Sequence, residues 1–233
     1  MLPALDLSPV LRAAFEARRD ALLSFDANAA RGVYAGLGTT PLTDGAWQAW
    51  ARSVASPSLA RYPAAGLVAR IDRVYVVWTL WYEATYMGGT NDRSRRVVVA
   101  LGPGAIDSNW LEHALHHEIA HVVRERARSG FPNKAWARAN APGFRYGGGG
   151  LDAMKAGKAS KEFDPALNAQ GVLSAYGASG IDEDWCTVAE SVMSDDPAFW
   201  DLASRYPRLR AKARLAVEFY RKTFPGIRLR DPG

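Results

Sequence analysis

Residues 111–123 read Leu-Glu-His-Ala-Leu-His-His-Glu-Ile-Ala-His-Val-Val, and within them His117-Glu118-Ile119-Ala120-His121 forms the pattern H-E-x-x-H. Residues four apart on a helix stack on one face, so imidazoles at 117 and 121 can share one metal ion. Glu118 points about a quarter-turn away and can reach a metal-bound water without itself being a ligand. The same stretch constrains the fold. Asp107 or Ser108 is the expected N-cap, and Gly130 the stop after Arg124, Arg126 and Arg128. Trp110, Leu111, Ala114, Leu115, Ile119, Val122 and Val123 carry enough apolar surface to bury much of this helix. A buried helix must also find partners for its titratable groups. All 4 histidines lie between His113 and His121, and His113 and His116 are expected in supporting or surface roles.

With 233 residues, 48% apolar content and 8 tryptophans, the chain can bury a sizeable core. The expectation is a single α+β domain, residues 1–233. An N-terminal lobe, about 1–130, would hold a small twisted sheet and the motif helix, and residues 131–233 a helical lobe. The net charge of +5 is interleaved with acids along helices, the pattern of solvated faces rather than of a nucleic-acid footprint. A lone cysteine, Cys186, excludes an internal disulfide. No apolar run reaches membrane-spanning length, and 1–26 lacks the basic-then-apolar layout of a signal peptide. A cytoplasmic protein is expected, or a secreted one if the sequence has been trimmed at its start.

Hydrophobic spacing predicts a helix over 8–25, with Leu11, Phe15, Leu22 and Leu23 inward. A glycine-rich loop over 32–45, a short helix over 46–54 and irregular chain over 57–63 should follow. Residues 73–86 are dense in Val, Trp, Tyr and Thr and read as one strand; 95–101 read as a second. With 88–92 as the turn, the two form an antiparallel hairpin leading through Gly102-Pro103-Gly104 into the motif helix. An extended peptide could add beside 95–101 as a further strand. Residues 131–150 end in four glycines, a run that suits either a linker or an ordered loop braced by Trp136, Phe144 and Tyr146. Helices are predicted over 182–193 (capped by Asp182), 196–204 and 208–223.

Catalytic zinc sites use three protein ligands and an open position. No histidine follows His121, so the third ligand must be a carboxylate. Glu183 and Glu190, seven apart, fall on nearly the same helix face, and the spacing does not choose between them.

The motif, together with Ser174, Tyr176, Glu183, Asp184 and Trp185, resembles the gluzincin metallopeptidases. The likeness is to the anthrax lethal factor-like catalytic domains and the bacterial zinc-binding peptidases similar to them. In that group a Ser-x-Tyr segment precedes a helix opening with Glu-Asp and an aromatic. The resemblance covers roughly residues 73–193. It implies a zincin-like fold and a zinc endopeptidase acting on protein or peptide substrates. Zn2+ would be held by His117, His121 and Glu183, with Glu118 as general base and Tyr176 as oxyanion donor. Glu190 would then support a ligand. The chain departs from the family at Thr187, where a further glutamate is usual. That departure motivates the alternative of a zinc-stabilised interaction domain without turnover.

Overall fold

The computed structural model describes residues 8–102 and 107–233. Pro103 and Gly104 of the expected link into the motif helix, and the first seven residues of the stretch read for a signal peptide, lie outside them. The chain forms two compact units, Met1–Arg128 with Lys222–Arg228, and Ser129–Arg221 with Leu229–Gly233. Helices and small sheets are mixed, as in an α+β protein. No described helix is long and apolar enough to cross a membrane.

The first unit opens with α1 (Pro9–Asp20), β1 (Leu23–Ser24), α2 (Ala27–Arg31), β2 (Leu37–Thr40), α3 (Gly45–Ala60) and α4 (Ala64–Val68). It continues through β3 (Arg73–Val77), β4 (Thr79–Tyr82), β5 (Thr85–Tyr86), β6 (Gly89–Asn91), β7 (Arg96–Ala100) and α5 (Ser108–Arg126). Helix α1 is capped by the Ser8 hydroxyl and ends sooner than its hydrophobic spacing suggests. It buries no residue, and Leu11 is exposed. Leu22 and Leu23 instead lie beyond the helix, Leu23 in β1 opposite Val74, and both leucines are buried. The supposed loop over 32–45 contains β2, and α3 runs on through Pro57 to Ala60. Burial of Ala51, Ala55 and Leu59 on one face of α3 outweighs the hydrogen bond that the proline removes.

The expected long hairpin is absent. Residues 73–86 break into β3, β4 and β5, which belong to two sheets ordered β1-β3-β7-β6 and β2-β4-β5. At Trp78 the chain leaves the first sheet for the second, its N–H donating to the Thr40 carbonyl at 3.0 Å. β3 and β7 run parallel, with Val76 opposite Val99. Their unbroken apolar runs, Val-Tyr-Val-Val and Val-Val-Val-Ala, suit central strands covered on both faces rather than a half-solvated hairpin. The hairpin that does form joins β6 to β7, with Thr90 opposite Val98. Asp92 shapes its turn by accepting from the backbone N–H groups of Ser94, Arg95 and Arg96 at 2.7 to 2.9 Å. β7 is therefore flanked on both sides and cannot take another strand; β6 is the edge.

The second unit contains α6 (Asn133–Arg138), α7 (Gly150–Lys155), α8 (Pro165–Gln170), α9 (Ile181–Ser194), α10 (Pro197–Arg205) and most of α11 (Pro207–Thr223). Its core is aromatic: Trp185 meets Phe131, Trp136 and Phe219 edge to face and stacks on Tyr220. Helix α9 starts one residue before Asp182, with Gly180 as N-cap, so Asp182 lies inside the first turn and does not cap. Behind that turn is a buried charge cluster. Asp184 Oδ2 accepts from Lys212 Nζ at 2.5 Å, Tyr146 Oη at 2.5 Å and Trp136 Nε1 at 2.8 Å. Both charged side chains are fully buried. Burial pulls Lys212 below the ordinary lysine pKa against the opposing pull of Asp184. Burial, and then the Asp184 charge, push Tyr146 up, so its hydroxyl stays protonated and donates.

Removing one partner of a buried ion pair strands the other charge in a poor solvent for ions. Lys212→Met should cost about 3–5 kcal/mol of stability, and Asp184→Leu a similar amount, while the double variant should cost less than either. Urea denaturation of the four full-length proteins checks this; strictly additive losses would show that the two charges do not depend on each other.

Candidate functional site

Helix α5 forms as the sequence predicts. Asp107 is its N-cap, accepting from the Trp110 N–H at 2.6 Å, and the helix ends at Arg126 after two arginines in its last turn. It packs against β7, β6 and α3. Burial runs unbroken from Ala114 to Ala120 and takes in His116, His117 and Glu118. His117 is 2% exposed and His121 half-buried. Their rings meet edge to face at 5.1 Å, and one ring nitrogen of each lies within 4.8 Å of the other. The two imidazoles thus share one face of the helix, a separation that small side-chain rotations close to what one ion requires.

Glu118 is oriented by the edge strand. Asn91 Nδ2 on β6 donates to Glu118 Oε2 at 2.7 Å. Two residues earlier, a Cβ placed on Gly89 would fall 2.7 Å from Glu118 Oε1 and 2.8 Å from its Cγ. Only a residue without a side chain lets β6 approach this carboxylate so closely. Neither Gly89 nor Asn91 stands out in the sequence, where both read as turn residues. Their role depends on β6 being a strand laid against α5.

The other two histidines separate. His116 is fully buried, with Nδ1 3.0 Å from the Tyr62 hydroxyl. Burial lowers its pKa against the opposing influence of Glu112, which lies 3.7 Å from Nε2. It serves as a neutral core group and braces α5 against Tyr62. His113 is half-buried.

In the second unit, Tyr176 and Glu183 come together. A Cβ on Gly150 would lie 2.5 Å from Glu183 Oε1 and 2.9 Å from Tyr176 Oη, so both polar tips converge on the start of α7. The four-glycine run that leads there is docked rather than a free linker. Gly147 and Gly149 donate to the carbonyls of Ala178 and Ser179 at 3.0 and 2.8 Å. Gly149 has φ 113°, a conformation that favours glycine. Just before the run, Tyr146 is anchored on Asp184. Glu190, two turns beyond Glu183, is 6% exposed and takes the Lys161 ammonium at 3.3 Å. Thr187 donates its hydroxyl to the Asp184 carbonyl at 3.1 Å, staying within its own helix. Cys186 is buried as a free thiol, three residues after Glu183.

Because β6 and Glu118 are in contact, Gly89→Ala should cost about 1–3 kcal/mol through overpacking, and Asn91→Ala a comparable amount by leaving a buried carboxylate oxygen without its donor. Gly45→Ala, where an added Cβ meets nothing within 4 Å, should be close to neutral. Denaturant midpoints of the three variants check this, and a Gly89→Ala protein as stable as the parent would place Glu118 elsewhere. Compared with protein-family models, curated proteins and solved structures, the chain matches none of them.

Proposed function

We propose that the protein is a zinc-dependent metallopeptidase of zincin type, in which His117, His121 and Glu183 hold the metal. The observation that carries this reading is the buried stripe of α5. Two imidazoles one turn apart bring ring nitrogens within 4.8 Å of each other, and the carboxylate between them in sequence is held by a neighbouring strand. The donor set, two nitrogens and one carboxylate oxygen, is one that catalytic zinc accepts. Zinc bound there would supply a water of lowered pKa and a Lewis acid for the scissile carbonyl.

The chain's own residues do the rest. Glu118 takes the proton of the attacking water and returns it to the leaving amine; Asn91 fixes which of its oxygens is free to do so. Tyr176, whose hydroxyl lies beside Glu183 at Gly150, donates to the oxyanion that develops on the carbonyl. Glu183 is favoured over Glu190 as the ligand because Glu190 is engaged with Lys161, while Glu183 shares its position with Tyr176. The substrate adds as an extended strand along β6 rather than beside 95–101. Among the described residues β6 is an edge strand of its sheet, and it runs past the general base.

Thr187 favours a second reading. Its hydroxyl is spent on its own helix, and no carboxylate stands at that position to support the zinc ligands. The same fold would then bind zinc for stability without turnover.

The metal is tested first. Purified protein should hold about one zinc per chain, and His117→Ala, His121→Ala and Glu183→Ala should each lose it. Glu190→Ala should weaken binding about ten- to a hundredfold yet refill with excess zinc. Cys186→Ser should keep the metal; loss of zinc there would replace Glu183 with the thiolate as third ligand. Full zinc in both histidine variants would end the proposal.

Turnover is tested separately, with a quenched fluorescent peptide library. Glu118→Gln should retain zinc and lose about a hundredfold or more in rate. Tyr176→Phe should lower kcat with little change in KM. A zinc-loaded parent that cleaves nothing, with Glu118→Gln indistinguishable from it, would favour the interaction-domain reading.

A further inference from the structure

A second concave site lies in the first unit, among α1, the α3–α4 corner and the segment 222–228. It encloses about 1180 Å³. Among the described residues its cations are Arg12, Arg19, Arg61, Arg70, Lys222 and Arg228, and its one acid is Glu16. Two acids outside the lining engage two of the cations: Asp20 pairs with Arg19 at 3.2 Å, and Glu112 with Arg61 at 3.0 Å. Crediting both acids, and Glu16 to one more cation, still leaves three positive charges uncompensated. The side chains of Arg12, Lys222 and Arg228 make no hydrogen bond or ion pair with any described residue, and all three residues are exposed.

The floor of this site is built to a fixed geometry. Arg70 donates to the Gly66 carbonyl at 3.0 Å, and its guanidinium lies over the Phe224 ring at 4.9 Å. Phe224 in turn sits so close to the backbone that a Cβ on Gly66 would be 2.7 Å from its ring. Burial, followed by the charge of Arg126, lowers the Arg70 pKa from the ordinary arginine value. The wall of α1 follows from its sequence: Arg12, Glu16 and Arg19 recur at helical spacing, so the polar stripe faces the cavity.

A concave surface of net positive charge focuses its field on whatever enters. Like charges gathered there repel until an anion neutralises them. Five of the six cations are arginines, whose planar forks meet phosphate oxygens in pairs. The volume is larger than one simple anion needs, and Phe15, Ala64, Ala65 and Pro225 give an apolar stretch of wall. We infer that this cavity binds a polyphosphorylated small molecule of the nucleotide class, phosphates on the arginines and organic moiety on the apolar wall. The site is independent of the proposed zinc centre, so either can fail without the other.

The test is fluorescence polarisation of a labelled nucleoside triphosphate with the full-length chain in zinc-containing buffer, at two salt concentrations. Arg12→Glu/Lys222→Glu/Arg228→Glu should weaken Kd at least tenfold, and inorganic tripolyphosphate should displace the probe. These three side chains are exposed, so circular dichroism should confirm an unchanged fold. Lys134→Glu/Arg138→Glu/Arg145→Glu changes net charge equally and should leave Kd within about twofold. Equal weakening in both triple variants would reduce the effect to overall charge and overturn the site. Displacement by polyglutamate as effective as by tripolyphosphate would overturn the ligand class in favour of an acidic peptide. Binding to phosphoinositide vesicles without binding to the soluble probe would overturn the small-molecule assignment in favour of a membrane surface.

Discussion

The placement of the proposed general base depends on how closely β6 approaches α5. Gly89 leaves the space that Glu118 fills, and Asn91 holds one oxygen of that carboxylate at 2.7 Å. A buried glutamate is costly unless its oxygens are engaged. Here the engagement comes from the edge strand, the same element to which an extended peptide could pair. Orientation of the base and placement of the substrate would then be set by one three-residue strand. The central parallel pair, β3 and β7, supplies the rigidity: both are apolar throughout, and α5 lies against β7.

The second unit solves a similar problem by different means. Its helix α9 opens with three acids, of which Asp184 is fully buried. That charge is tolerated because a lysine, a tyrosine and a tryptophan all direct donors at one of its oxygens. The arrangement locks the first turn of α9 and anchors the tyrosine that precedes the glycine run. Gly150 is thereby placed where the tips of Tyr176 and Glu183 meet. A buried ion pair is weak evidence for stability as such. Its use here is geometric, since it holds the residue beside Glu183 in one position.

Some elements were legible because their signals are local. The span and cap of α5, the shared face of His117 and His121, and the helices near 197–205 and 207–223 follow from spacing, capping residues and stop signals within a few residues. The strand-rich character of 73–101 was legible too. Its pairing was not: proximity in the chain suggested one antiparallel hairpin, whereas β3 and β7 are parallel neighbours and the chain visits a second sheet between them. The turn joining β4 to β5 carries no glycine or asparagine signal, although Glu83 and Ala84 take φ of 46° and 62° there. The aromatic-rich run gave no hint of it.

What the sequence determined by itself, then, is the chemistry on offer: two imidazoles on one helical face with a carboxylate a quarter-turn away, two candidate acids on another helix, and a tyrosine before it. Helical periodicity alone brings such groups together, and it acts within a few residues. The tertiary structure decided which groups are constrained and by what. Gly89 and Asn91 lie 29 and 27 positions before Glu118, Lys212 lies 28 after Asp184, and Phe224 lies 154 after Arg70. Contacts over such separations are fixed by burial and by the need to satisfy buried polar groups, which belong to the folded chain as a whole. No local pattern encodes them.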